Sequence, residues 1–133
     1  MFINCSNHPS NTWSDRQITA SQEYGEIYDL PFPSIEPDWR ADDLRLLVDE
    51  YTEKIQALRP AAVFVAGEFS FVFMLIDRLK SIGICVLCSR SRRIAVEERG
   101  PDGSITKKSI FQFECYREYE YYDTDAGRVS ENK

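Results

Sequence analysis

Short apolar runs alternate along this chain with stretches of helical periodicity. Phe2-Ile3-Asn4-Cys5, Glu26-Ile27-Tyr28-Asp29-Leu30, Ala62-Val63-Phe64-Val65-Ala66 and Ile84-Cys85-Val86-Leu87-Cys88 are brief and bounded by turn-forming or polar residues, so they read as strands. After the first, Ser10, Asn11 or Thr12 is expected to cap a helix from Trp13 to Tyr24, which Gly25 ends. Pro31, Pro33 and Pro37 mark a loop whose Phe32 and Ile35 should pack inward. Leu44, Leu47, Val48, Tyr51, Ile55 and Leu58 then share one face of a helix, which Arg59-Pro60 ends. From Phe69 to Lys80 a further helix is apolar nearly all round. A sheet covers only one side of such a helix, so its other side is expected to meet a second subunit or the C-terminal segment. Two last strands, Arg92 to Arg99 and Ile105 to Tyr116, flank Gly100-Pro101-Asp102-Gly103, a hairpin signal.

This order gives an α/β fold: a mostly parallel sheet flanked by helices, extended by a C-terminal antiparallel β-hairpin. One domain is expected over residues 1–122, followed by a polar tail, 123–133, that reads as disordered.

In such a sheet three polar clusters are expected at the carboxyl edge, where open α/β sheets bind ligands. They are Ser6-Asn7-His8-Pro9-Ser10, Gly67-Glu68-Phe69-Ser70 and Ser89-Arg90-Ser91-Arg92-Arg93, each following an apolar run. A histidine, hydroxyls, a carboxylate and arginines gathered there suit a ligand that carries phosphate. Arginine stays charged and grips phosphate bidentately. Strand alternation aims Arg90 and Arg92 one way and Arg93 the other, so the three do not all serve one site. His8 is the only histidine, and it is either an acid–base or phosphate-donor group or a loop residue that caps the helix or is simply solvated. Ser10 and Thr12 are caps first, although a helix start also offers free N–H groups to an anion. Gly67 would let a ligand approach the backbone closely, and Glu68 either meets a ribose hydroxyl or favours the helix dipole. Neither a full dinucleotide fingerprint nor a P-loop lysine is present.

With 133 residues the chain can bury a real core, and its net charge of −6 argues against a protein that coats DNA or long RNA. Cys5, Cys85, Cys88 and Cys115 all lie within apolar runs and read as reduced core residues rather than disulfides or zinc ligands. No secretory signal or membrane-length apolar stretch appears, so a cytoplasmic location is expected.

Taken in order, these segments resemble the small stand-alone ring nucleases of CRISPR type III defence, relatives of the CARF (CRISPR-associated Rossmann) sensor domains. Asn4-Cys5-Ser6-Asn7-His8-Pro9-Ser10 with Gln17 is similar to the family's first strand, Ser-His turn and helix start. Gly67-Glu68-Phe69-Ser70-Phe71, the Gly83-Ile84 strand, Ser89 to Arg93, Glu97, and Phe111 to Tyr119 with Arg117-Glu118-Tyr119 follow the family's order. In the family pattern Ser and His are adjacent, whereas here Asn7 separates Ser6 from His8, so either Asn7 or His8 takes the equivalent place.

The resemblance implies a Rossmann-like, CARF-like homodimer that binds cyclic oligoadenylate, with cyclic tetra-adenylate foremost. It implies cleavage without metal or other cofactor, by 2′-hydroxyl attack that leaves a 2′,3′-cyclic phosphate. His8 would move the proton, Arg92 and Arg93 would stabilise phosphate charge, and Ser10 and Thr12 would position the ring. Glu68 or Ser70 would contact ribose or adenine, with Ser6, Asn7, Gly67, Phe69, Ser89, Arg90 and Ser91 around them. A sensor or sponge that holds the ring intact shares every one of these motifs. An α/β interaction domain whose arginines meet an acidic partner is the remaining alternative.

Overall fold

The computed structural model describes residues 1–125, so the tail expected over 123–133 lies outside the described residues from position 126 onward. Five strands, β1 (Phe2–Ser6), β2 (Ile27–Asp29), β3 (Ala62–Ala66), β4 (Val86–Arg99) and β5 (Ile105–Glu118), form one sheet in the order β2-β1-β3-β4-β5. The first four are parallel and β5 is antiparallel to β4, giving a mixed α/β sheet with three helices. These are α1 (Asp15–Gln22), α2 (Ala41–Leu58) and α3 (Phe69–Ser81). None of the described helices is long and apolar enough to cross a membrane.

Strand alternation sorts the core into two layers. Ile3, Cys5, Val63, Val65 and Val86 point to one side, where they pack with Leu44, Val48, Tyr51 and Ile55 of α2 and Phe71, Leu75 and Leu79 of α3. Phe2, Phe64 and Leu87 point to the other side, against Trp13, Tyr24 and Tyr116. There α1 lies, tied to Tyr116 by Gln17 and Ser21. The loop residues Phe32 and Ile35 pack inward as expected. Arg59 adopts a left-handed φ of 49° at the end of α2, and Pro60 follows it. In α3, Phe71, Leu75 and Leu79 are fully buried, each contributing about 1.5–3 kcal/mol. The turn of β5 into Tyr119–Tyr122 covers part of the remaining face, while Phe69 and Phe73 stay exposed.

Two expectations need correction. Ser10, Asn11 and Thr12 do not cap the first helix: they form a 3₁₀ turn, and Ser14 caps α1 by accepting a hydrogen bond from the Gln17 N–H. Nor does the fourth strand stop at Cys88. Its pairing with β3 covers only Val63↔Val86 and Phe64↔Leu87, but β5 continues as partner from Leu87↔Glu118 to Arg99↔Ile105. The antiparallel ladder carries β4 straight through the arginine cluster. Beyond Cys88 the pair is a two-stranded ribbon that leaves the sheet at its carboxyl edge.

Candidate functional site

The first connection, through α1, adds β2 on one side of β1, and the second, through α2, returns to place β3 on the other. The carboxyl ends of β1 and β3 therefore flank the point where strand order reverses, the expected crevice of an open sheet. They are joined there by the Asn7 N–H, which donates to the Ala66 carbonyl at 3.3 Å.

The turn after β1 is built on buried side chains. Asn4, 2% exposed, donates from Nδ2 to the His8 carbonyl and to Asp29 Oδ1, both at 2.9 Å. Ser6 Oγ donates to Asn4 Oδ1 at 2.6 Å and accepts from the His8 N–H at 3.2 Å. Ser10 Oγ donates to Asp29 Oδ2 at 2.8 Å, and Thr12 Oγ1 donates to the Pro9 carbonyl at 2.7 Å. Both backbone groups of His8 are thus held from beneath, while its imidazole is exposed and makes no hydrogen bond among the described residues. Neutral buried polar groups are costly unless paired, and here each is paired to shape this turn.

His8 lines a cleft of about 560 Å³ between the segment leading into α1 and the base of the ribbon. Thr12, Arg16 and Gln17 line one wall, and Ser91, Phe111 and Phe113 the other. Register explains the second wall: Ser91 faces Phe113 and Arg93 faces Phe111 on one side of the ribbon. The Arg93 guanidinium stands 5.9 Å from the centre of the Phe111 ring, which is 73% exposed. A separate cleft of about 500 Å³ lies on the other side of the turn, where Ser6, Asn7 and Asp29 meet Pro31, Phe32 and Pro33.

Arg92 enters through a partner that the sequence reading missed. Between Arg90↔Cys115 and Ser91↔Phe113 the register slips, and Glu114 is the extra residue of a β-bulge. Its carboxylate meets Arg92 Nε at 3.3 Å and Arg16 Nη1 at 3.1 Å, linking ribbon to helix. A readable trace exists. Phe111 and Phe113 keep the two-residue beat, but the next ring on that face is Tyr116, three residues on, with centroids of Phe113 and Tyr116 4.9 Å apart. The broken beat marks the bulge. Arg16 carries no such signal, because its place depends on where α1 starts.

The remaining predicted residues lie elsewhere. Glu68 caps α3, its carboxylate accepting from Ser70 Oγ at 2.6 Å, from the Ser70 N–H at 2.8 Å and from the Phe71 N–H at 3.0 Å. The Ser70 hydroxyl above all, and then those two amides, hold this carboxyl below its ordinary range. The helix start thus already has its anion. Glu68 and Ser70 border a smaller cleft with Ile35, Pro37 and Trp39. The close approach that Gly67 allows is made by the chain itself, since a Cβ there would lie 2.3 Å from the Phe32 ring. Phe69 projects from α3 with 89% exposure. Ser89 and Arg90 are exposed on β4, opposite Tyr116 and Cys115. All four cysteines are free, and burial pushes the Cys5 thiol up to about 12.

Residues 1–117 match the model of a protein family described as "Uncharacterized protein MJ1673 family". No curated protein matches the chain.

Proposed function

We propose that this chain, which belongs to the Uncharacterized protein MJ1673 family, is a Rossmann-like, CARF-like ring nuclease that binds and cleaves cyclic oligoadenylate in the cleft beside His8. The observation that carries this reading is the composition of that cleft. A free imidazole, the Arg16 side chain and an exposed phenylalanine ring gather at the carboxyl edge of the sheet, with Arg92 one ion pair away. Phosphate, ribose and adenine each find a matching group there: guanidinium, hydroxyl or amide, and an aromatic face.

In the proposed reaction a ribose 2′-hydroxyl attacks the adjacent phosphorus in line. The new P–O2′ bond forms as the P–O5′ bond breaks, leaving a 2′,3′-cyclic phosphate and a 5′-hydroxyl. His8 takes the proton from the 2′-hydroxyl or returns one to the leaving 5′-oxygen. Arg16 and Arg92 stabilise charge on the phosphate oxygens, and Arg93 with Phe111 holds the neighbouring base. The fixed backbone of His8 serves orientation. A cyclic tetranucleotide takes two-fold symmetry, which suits a two-fold homodimer in the cytoplasm.

A protein that holds the ring without cutting it is the second reading. One observation favours it: among the described residues that line the cleft, the only ionisable side chain besides His8 is Arg16, which does not accept a proton.

Incubation of the purified chain with cyclic tetra-adenylate and EDTA, followed by mass spectrometry, tests the proposal. Linear products ending in a cyclic phosphate, lost in His8→Ala, are expected. Tight binding of an intact ring would establish the second reading, and absence of both binding and cleavage would refute both.

A further inference from the structure

Glu114 sits where a carboxylate works against phosphate binding. The bulge presents it to two guanidiniums, at 3.1 Å and 3.3 Å, and its side chain is 28% exposed against 54% for Arg16 and 73% for Arg92. Ion pairs this open to water add little to stability, so holding the ribbon to α1 is not reason enough for the charge. Its effect on the site is larger. Two guanidiniums and one carboxylate sum to a single positive charge. Each arginine also keeps donors in reserve, because Arg16 engages Glu114 through Nη1 and Arg92 through Nε, out of five N–H groups apiece.

We infer that Glu114 is a specificity-determining residue that tunes this site to phosphodiesters and against phosphomonoesters. A diester carries one negative charge, which the triad balances. A monoester carries about 1.5 to 2 at neutral pH, and its excess meets the Glu114 carboxylate. The site then accepts internucleotide phosphates and disfavours terminal ones, including those on linear nucleotides of the same base. This inference rests on the cleft being a phosphate site, as proposed above, but not on its cutting anything.

The test compares two ligands that share the adenosine unit and differ in phosphate charge. They are the methyl ester of adenosine 5′-monophosphate, a single diester, and adenosine 5′-monophosphate itself. Affinities are measured by calorimetry on the full chain, wild type and Glu114→Gln, at about pH 7.5, where the monoester is mostly dianionic. Wild type should prefer the diester by roughly tenfold, a modest electrostatic discrimination for a partly exposed site. Glu114→Gln should erase that preference, mainly by tightening the monoester. In wild type, lowering the pH to about 5.5 protonates the monoester and should narrow the gap as well. At the lower pH both ligands carry close to one negative charge, so the change in ratio reads ligand charge. If Glu114→Gln fails to fold, Glu114→Thr, which is neutral and suited to a strand, takes its place. An unchanged ratio in both arms overturns the inference, as does failure of folded wild type to bind either ligand at millimolar concentration. Diester preference without ring cleavage would leave the inference standing while the nuclease reading falls. Ring cleavage with an unaltered ratio would do the reverse.

Discussion

The hydroxyls of Tyr116 and Ser21 lie 2.8 Å apart, joining the root of the ribbon to the inner side of α1. Proton accounting fixes the direction. Ser21 Oγ donates its one hydrogen to the Gln17 carbonyl at 2.7 Å, so Tyr116 donates to Ser21 and accepts from Gln17 Nε2 at 3.2 Å. The Tyr116 ring also packs on Phe2 and Phe64, with centroids 5.3 Å and 5.4 Å away. Tyr116→Phe keeps the ring and removes the link. It should cost about 1–2 kcal/mol, because Ser21 and Gln17 each lose a partner. Urea denaturation measures the loss. Ligand affinity should fall too, since both walls of the cleft are anchored through this pair.

How much of this was legible in the sequence depends on what each residue's position rests on. Ala62 to Ala66 was readable to the residue, because Pro60 and Gly67 bracket a continuous apolar run. The buried face of α2 was equally plain from Leu44, Val48, Tyr51 and Ile55. His8, Thr12 and Ser91 do share one cleft. The single strand through the arginines reads in the sequence as two, one ending at Cys88 and another starting at Arg92, because Ser89 to Arg93 is polar throughout and a strand paired only at an exposed ribbon shows no apolar alternation. Arg16 and Glu114 stand 98 residues apart, and only the folded chain brings them together. Glu68 was readable both ways, and the geometry gives the cap.

Gly67→Ala should be damaging for a reason distant from any ligand. The residue has φ of 153°, and a Cβ would meet three atoms of the Phe32 ring between 2.3 Å and 2.8 Å. That ring cannot easily retreat, because it stacks edge-on against the buried Phe71, 5.5 Å between centroids. Overpacking of this kind costs about 1–3 kcal/mol. Phe32→Leu in the same chain should recover part of the loss by vacating the space, whereas a ligand-contact role for Gly67 predicts no such rescue. Thermal melts of the single and double variants separate the two.

Alkaline pH should destabilise the fold through groups that are neutral only while buried. Burial pushes the Cys5 thiol from an ordinary 9.0 up to about 12, and it raises the phenols of Tyr51 and Tyr116 above their ordinary 10.0. A folded value above the unfolded one gives stability that is complete below the unfolded value and declines as pH climbs toward the folded one. Unfolding free energy should therefore hold steady to about pH 8.5. Above that it should fall, by up to about 1.4 kcal/mol per pH unit for each proton released on unfolding. Thiol labelling followed by mass spectrometry gives an independent check. Cys85, Cys88 and Cys115 are partly exposed and should react in the native protein, while Cys5 should be modified only on unfolding. Native-state labelling of Cys5 at the rate of the other three would contradict its burial.

The proposed homodimer makes the last prediction. Phe69 and Phe73 are one helical turn apart on α3 and remain 89% and 75% exposed, while the C-terminal segment covers the neighbouring groove at Ile76 and Lys80. Side chains this exposed hold up little of the monomer, so Phe69→Ser with Phe73→Ser should leave its melting temperature nearly unchanged or slightly raised. If they form the two-fold seam, the double variant should run as a monomer in light scattering where wild type runs as a dimer. The stoichiometry of cyclic tetra-adenylate should change with it, from one ring per two chains to weak binding by single chains, because a two-fold ligand loses half its contacts. A double variant that stays dimeric and binds one ring per pair would place the seam elsewhere, with the exposed face of the β4–β5 ribbon the next surface to test.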